Sequence, residues 1–377
     1  MHTTGHFFHF FKNRELNEMY VSISIRSFAL ALIGVFIPIY FYTKGYSLTA
    51  IFLFYIIQSL SHITFSIPAA KISSRYGIKH SMLFSVPFLI LFFFLLYSLD
   101  TFNWPLPVLS IFAGLSTALF WIPYHIDFAK FTDRKNRGKQ IGFSGIVASL
   151  FSIAGPILGA VLLTLVGFKM LFITVSALLF VSIIPLFFSK EVHQPVGFSL
   201  RGFFEGQRAR DVVSFLGHGI ESKMSAIVWP LFVFIFIFGE KYTSLGIVSS
   251  LTIGIAFIST IFIGKFSDMR RTAVLKVGSI MNSGVWIARS FIVTPLQVFV
   301  TDAFYGMSNT TMHIPFDAKN YDKVDKKNGV AKVILEREIY HHVGVVILFS
   351  LLIFFTESST ELFRYGGPIS SLMRFFF

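Results

Sequence analysis

Apolar stretches of about 20 residues recur along nearly the whole chain, and the short loops between them alternate between rich and poor in positive charge. A run of that length crosses the hydrocarbon core of a bilayer as a helix. The chain is 54% hydrophobic and 18% aromatic, with 49 phenylalanines among 377 residues, which no soluble domain of ordinary composition matches. The pattern predicts an all-α polytopic membrane protein with helices at roughly 20–43, 47–70, 81–98, 105–127, 141–165, 170–188, 212–238, 244–264, 274–293, 295–315 and 331–355. A shorter twelfth span is expected at about 360–377.

Sorting the basic residues between loops sets the orientation. About 22 lysines and arginines fall in one set: Lys12 and Arg14; Lys71, Arg75 and Lys79; Lys130, Arg134, Lys135, Arg137 and Lys139; Lys190, Arg201, Arg208 and Arg210; Lys265, Arg270 and Arg271; Lys319, Lys323, Lys326, Lys327 and Lys332. The opposite set holds Lys44, Lys169, Lys241 and Arg364. The positive-inside rule places the richer set, and with it the amino terminus, in the cytoplasm. The net charge of +13 is scattered over these loops and makes no basic stripe for a nucleic acid; its partners are anionic lipid headgroups. With no cysteine, disulfides, thiolate metal sites and cysteine nucleophiles are excluded. The first apolar run is too long for a cleavable leader. The expected location is the cell's inner (plasma) membrane, and the expected state a monomer.

The chain reads as two halves, 1–198 and 199–377, joined by a long basic connection at about 189–211. Within it, Phe198-Ser-Leu-Arg-Gly-Phe-Phe-Glu205 suits a helix lying on the membrane surface. Ala70-Lys71-Ile72-Ser73-Ser74 at the end of the second span matches Gly264-Lys265-Phe266-Ser267-Asp268 at the end of the eighth. Ile122-Pro123-Tyr124 and Ile314-Pro315-Phe316 repeat at nearly the same offset, about 192 to 194 residues. A parallel six-plus-six repeat of this kind typifies one class of secondary transporter.

Ala70-Lys-Ile-Ser-Ser-Arg-Tyr-Gly-Ile-Lys79 resembles the signature loop of the major facilitator superfamily, G-x-L-a-D-R-x-G-R-K. Arg75, Gly77 and Lys79 match; Ala70 replaces the first glycine and Ser74 the aspartate. The second copy, Gly264-Lys-Phe-Ser-Asp-Met-Arg-Arg271, keeps the glycine and the aspartate. Gly155-Pro156-Ile-Leu-Gly159-Ala160 is similar to the family's G-P-x-x-G-G kink in the fifth span. The resemblance covers nearly the whole chain. It implies two pseudo-symmetric six-helix bundles rocking about a midplane site, with spans 1, 4, 7 and 10 lining the cavity. It also implies a gate at Lys71, Ser74, Arg75, Gly77, Gly264, Asp268 and Arg271. The alternative for the basic members of that set is topology-setting alone.

Ionisable side chains inside spans are costly and mark cavities or partners. In the seventh span His218, Glu221, Ser225 and Trp229 share a face at helical spacing, with Lys223 pointing elsewhere. Asp302, Tyr305, Asn309 and His313 make a second stripe in the tenth span, and Trp121, Tyr124 and His125 a third in the fourth. Glu221 and Asp302 are the candidate proton carriers; the alternative is that they pair with Arg289 or Lys223 and hold helices together. Glu336, Arg337, Glu338, His341 and His342 open the eleventh span as an ion-pair network or a proton relay. Adjacent helical positions point about 100° apart, so His341 and His342 do not share a metal between them. His2, His6 and His9 read as part of an interfacial aromatic anchor. No metal, cofactor or catalytic residue is expected: Walker, potassium-filter and G-x-S-x-G sequences are all missing.

The expected function is secondary transport of a small solute by alternating access, coupled to protons, leaning to export of apolar or cationic compounds. A sugar or metabolite importer of the same fold is the nearest alternative. A non-transporting receptor or assembly factor is the alternative of another class.

Overall fold

In the computed structural model, residues 14–131, 137–187, 207–324, 329–354 and Arg374 are described. The boundary at 198/199, the surface segment 198–205, the amino-terminal histidines, Lys12, Arg134, Lys135, Lys190, Arg201, Lys326, Lys327, Arg364 and, apart from Arg374, the twelfth span lie outside them. Among the described residues every regular element is helical. In lipid a helix satisfies its own backbone groups, so this is the economical solution for apolar runs.

The helices are α1 (Arg14–Ile33), α2 (Leu48–Tyr76), α3 (Ile78–Tyr97), α4 (Leu106–Phe131), α5 (Arg137–Ser152), α6 (Gly155–Ile183), α7 (Ala209–Lys223), α8 (Tyr242–Arg289), α9 (Pro295–Asp322) and α10 (Val330–Phe354). A 3₁₀ turn at Gly34–Phe36 extends α1 into Ile37–Thr43. Among the described residues, eight helical stretches are long and apolar enough to cross a membrane. Two of them, Arg137–Leu186 and Tyr242–Arg289, run to 50 and 48 residues and each hold two spans. The reversals fall at Gly167, with φ +77°, and at Arg270, with φ −143° and ψ 55°. The 28-residue α9 is long enough to cross but carries the polar stripe that keeps it out of that set.

The signature segment departs from the expected loop. α2 continues through Arg75 to Tyr76, and only Gly77, at φ +96°, breaks the backbone before α3 begins at Ile78. Glycine alone adopts that conformation without strain. Its second copy is helical up to the break at Arg270.

Within the first half α1 packs on α5 and α6, α2 on α4, and α3 on α4 and α6; within the second, α8 packs on α9 and α7 on α10. The halves meet along two seams, α2 against α10 and α5 and α6 against α8. Small residues make these approaches possible, as expected where lipid supplies no hydrophobic drive for helix association. A Cβ on Gly219 would lie 1.8 Å from the His341 carbonyl oxygen, and one on Gly246 2.6 Å from that of Pro156.

Candidate functional site

The polar stripes of α7 and α9 meet in the interior of the second half. A capping box starts α9: Thr294 Oγ1 accepts from the Gln297 amide, and Gln297 Oε1 accepts from the Thr294 amide. This fixes the helix two turns before Asp302. Arg289, in the last turn of α8, donates to Asp302 Oδ1 at 2.6 Å, and Trp229 Nε1 donates to the same carboxylate at 2.9 Å. The guanidinium carbon of Arg289 lies 4.5, 4.6 and 4.1 Å from the ring centroids of Trp229, Trp286 and Tyr305. Three aromatic faces therefore hold a cation that one carboxylate neutralises.

Glu221 sits one turn deeper and is fully buried. Tyr305 Oη donates to its Oε1 at 2.7 Å, and Arg374 Nη2 pairs with its Oε2 at 3.0 Å. His313 Nε2 lies 3.8 Å from the same Oε2. The partner of Glu221 is thus Arg374, not Lys223; the pairing of Asp302 with Arg289 is the one weighed from the sequence. His218 packs its ring on His313, His341 and Phe316 at 4.7 to 5.0 Å between centroids. Asn309 Oδ1 is buried and accepts no hydrogen bond among the described residues.

The seventh span is not a continuous α-helix. After α7 the backbone widens into π turns at Met224–Val228 and Val233–Ile237, separated by a short helix at Trp229–Phe232. A π turn inserts an extra residue into the helical register, and such turns gather at functional sites. The regular spacing read from the sequence breaks here. Glu221 reaches Tyr305 and Arg374, whereas Trp229 is delivered to Asp302.

A cavity of about 250 Å³ lies between the halves, lined by residues of α1, α4 and α5 from the first and of α9 from the second. Trp121, Tyr124 and His125 all line it, with Arg26 from α1 and Asp317 from α9. Trp121 stacks on His125, whose Nδ1 is 2.6 Å from Tyr321 Oη of the second half. Asp317 is held by Arg337 at 2.8 Å. Arg26 is 6% exposed, lies 3.8 Å from the Phe120 centroid, and has no carboxylate partner among the described residues.

At the end carrying the basic loops, carboxylates of the second half clasp the start of α5. Asp268 accepts from the amides of Gly138 and Lys139 at 2.7 and 3.0 Å, capping a helix that belongs to the other half. This is the stabilising placement for a negative charge on a helix dipole. Arg137 pairs with Asp322 at 2.7 Å, and Arg271 bonds both Asp322 and Asp268. Gly138 leaves room for the clasp, since a Cβ there would lie 2.7 Å from Asp268 Oδ1. Gly264 faces the Gly138 carbonyl. Lys323, just past α9, pairs with Asp211 at 2.7 Å, and burial pulls it down to about 8 against that pair. In the first-half copy, Lys71 and Arg75 are exposed; Arg75 lies over the Tyr76 ring, and the Ser74 hydroxyl returns to the Lys71 carbonyl. At the opposite end the halves touch through Tyr42 and Glu240 and through the rings of Phe36, Phe168 and Tyr242.

Between α5 and α6 the helix is interrupted at Ile153 and Ala154, directly before Gly155 and Pro156. Both glycines of that segment touch α1: a Cβ on Gly155 would lie 2.5 Å from Ala31 Cβ, and one on Gly159 1.9 Å from the Leu32 carbonyl oxygen. The Ile157 amide, left over by the break, donates to Ser250 of the second half at 3.2 Å.

The sequence model of the Major Facilitator Superfamily matches residues 19–331. The chain belongs to the major facilitator superfamily. Its fold superposes on a crystal structure of the human organic anion transporter MFSD10 (TETRAN) with a TM-score of 0.70, at 10% identity, over 96% of this chain and 98% of that one. No curated protein matches it in sequence. The chain is therefore a multi-pass membrane transporter of the major facilitator fold. Three side chains of this facilitator, Arg374, Asp322 and Arg137, were not assigned these contacts from the sequence. Arg374 sits in the short twelfth span expected at about 360–377, where it was assigned no partner. Asp322 and Arg137 looked like ordinary loop charges.

Proposed function

We propose that this facilitator moves a small organic anion with an apolar body by alternating access, coupled to protons at Glu221, with the basic-loop end in the cytoplasm. The observation that carries the substrate class is Arg26. It is buried, lines the cavity and has no carboxylate to neutralise it among the described residues, while Trp121, Tyr124 and Phe128 supply apolar walls. An unpaired buried cation is costly, and an arriving anion relieves that cost. The acidic groups that favoured a cation from the sequence are already answered: Glu221 by Arg374 and Asp302 by Arg289. MFSD10 is described as an organic anion transporter; that distant likeness carries the fold alone, and the anion reading rests on Arg26.

Coupling at Glu221 follows from its pairing. When a rearrangement within the second half parts Glu221 from Arg374, the carboxylate is left without its counter-charge in a low-dielectric interior, and a proton is the available replacement. The test is proton flux in proteoliposomes loaded with a pH dye and challenged with pools of small aromatic carboxylates, cationic drugs and sugars. The carboxylate pool should elicit flux. Arg26→Gln should abolish it and Arg26→Lys retain part, and Glu221→Gln should leave anion exchange while removing the proton movement. A response confined to cations would overturn the substrate class.

A further inference from the structure

The α2–α10 seam brings together three buried donors that lie far apart in sequence. His62 comes from α2; Glu338 and His342 lie one turn apart on α10. They are 0%, 6% and 8% exposed, and one donor atom from each falls within 4.8 Å of the others. The orientation of His62 follows from its neighbour. Thr117 Oγ1 donates to the Gly114 carbonyl at 2.9 Å, so its lone pair is what meets His62 Nδ1, also at 2.9 Å. His62 Nδ1 therefore carries the hydrogen, and its buried Nε2, which makes no hydrogen bond among the described residues, faces Glu338 Oε2 3.4 Å away, so that a neutral ring would turn a lone pair towards the carboxylate. Two acceptors facing each other in a dry interior repel unless a cation lies between them. His342 stacks on His62 at 3.7 Å, an arrangement two imidazolium rings would not tolerate, and its buried Nδ1 makes no hydrogen bond.

We propose that His62, Glu338 and His342 bind one divalent transition-metal ion of the zinc class, and that the ion pins the two halves together along this seam. Two imidazoles and a carboxylate, with a fourth position open, are a common zinc donor set. The hydrogen bond from His62 to Thr117 is the outer-shell contact that holds a ligating histidine in the right tautomer. Metal bonds of about 2.0–2.1 Å require the three donors to draw closer than they stand here; small side-chain rotations on α10 supply that movement. Arg337, 3.8 Å from the other Glu338 oxygen, opposes a cation, but Asp317 already holds it at 2.8 Å. The site differs from the His341–His342 pair dismissed from the sequence, because His62 brings the second imidazole from the opposite half.

The experiment is cobalt and zinc binding to the full chain in detergent, without substrate, in a background with His2, His6 and His9 changed to alanine. Cobalt should give the visible absorption of a tetrahedral site, displaced by one equivalent of zinc. His62→Gln and His342→Gln should each weaken zinc binding at least about tenfold, and Thr117→Val should weaken it by about 10–100-fold. Circular dichroism confirms that each variant stays helical. Spin labels on cysteines introduced at Tyr42 and Glu240 should show a narrower distance distribution with zinc, and no narrowing in His62→Gln. Equal affinity in the parent and both histidine variants would overturn the site. Binding without narrowing would overturn the pinning and leave the site standing. Glu338 bound to a protonated His62 in place of a metal would appear as no cobalt spectrum at any concentration.

Discussion

At the scale of single residues, the interior of this transporter is governed by where its charges find partners. Asp302 and Arg289 show how tight that pairing is: the arginine sits among three aromatic rings, its Nε and Nη1 make no hydrogen bond, and one carboxylate balances it. Removing one member of such a pair strands a buried charge, at about 3–5 kcal/mol. Asp302→Asn should accordingly lower the apparent melting temperature in detergent sharply, and Asp302→Asn with Arg289→Met should recover most of the loss. An equal loss in the double variant would place the cost in packing. The sequence showed Asp302, Tyr305 and Glu221 as an inward-facing set because polar residues at helical spacing in an apolar run must turn away from lipid. It could not show that Glu221 takes Arg374, 153 positions away, since no periodicity links two separate spans.

At the scale of elements, close helix crossings depend on glycines whose surroundings differ. Gly219 has the His341 carbonyl where a Cβ would go, whereas Gly284 has nothing within 4 Å. Gly219→Ala must push α7 off α10 and should cost about 1–3 kcal/mol. Gly284→Ala should be neutral or gain up to about 1 kcal/mol, the ordinary preference of a helix for alanine. Thermal unfolding of both variants against the parent checks the contrast; equal behaviour would mean that the α7–α10 crossing is not tight. The sequence marked both as glycines inside spans. Only the neighbouring helix distinguishes them. The π turns at Met224–Val228 and Val233–Ile237 were hidden for a related reason: a widened turn has no residue signature, and it is stabilised by the side chains it delivers to other helices.

At the scale of the molecule, charged contacts between the halves gather at the basic-loop end, and the proposed mechanism uses them as the latch that shuts this mouth. Asp268 caps the start of α5 and Asp322 pairs with Arg137, so three charged groups make contacts across the halves, with Arg271 holding both aspartates from their own side. Charge-assisted hydrogen bonds of this kind contribute about 1.5–3 kcal/mol each. Asp268→Asn should therefore raise the open population at this end about tenfold or more. Ser144 lines the cavity, and the chain holds no cysteine. Labelling of Ser144→Cys by a membrane-impermeant maleimide from the basic-loop side should speed up correspondingly. An unchanged rate would remove Asp268 from the latch. The first-half signature loop has its lysine and arginine exposed and a serine where the family has aspartate, so the second-half copy makes the latching contacts described here.

Transmembrane character, helical class and the family were determined by the sequence itself, because each rests on a local or regularly repeated signal. Apolar length makes a span, loop charge predicts its direction, and Gly77 and Gly155-Pro156 act within a few residues of themselves. What only the tertiary structure decided were the pairings: Glu221 with Arg374, Asp268 with the start of α5, His62 with Glu338 and His342, and an Arg26 that faces an aromatic cavity with no carboxylate partner among the described residues. The physical reason is that lipid makes each apolar span helical without choosing its partners. The choice falls to close-packed glycines and to buried charges that must be neutralised, and both act between segments far apart in the chain.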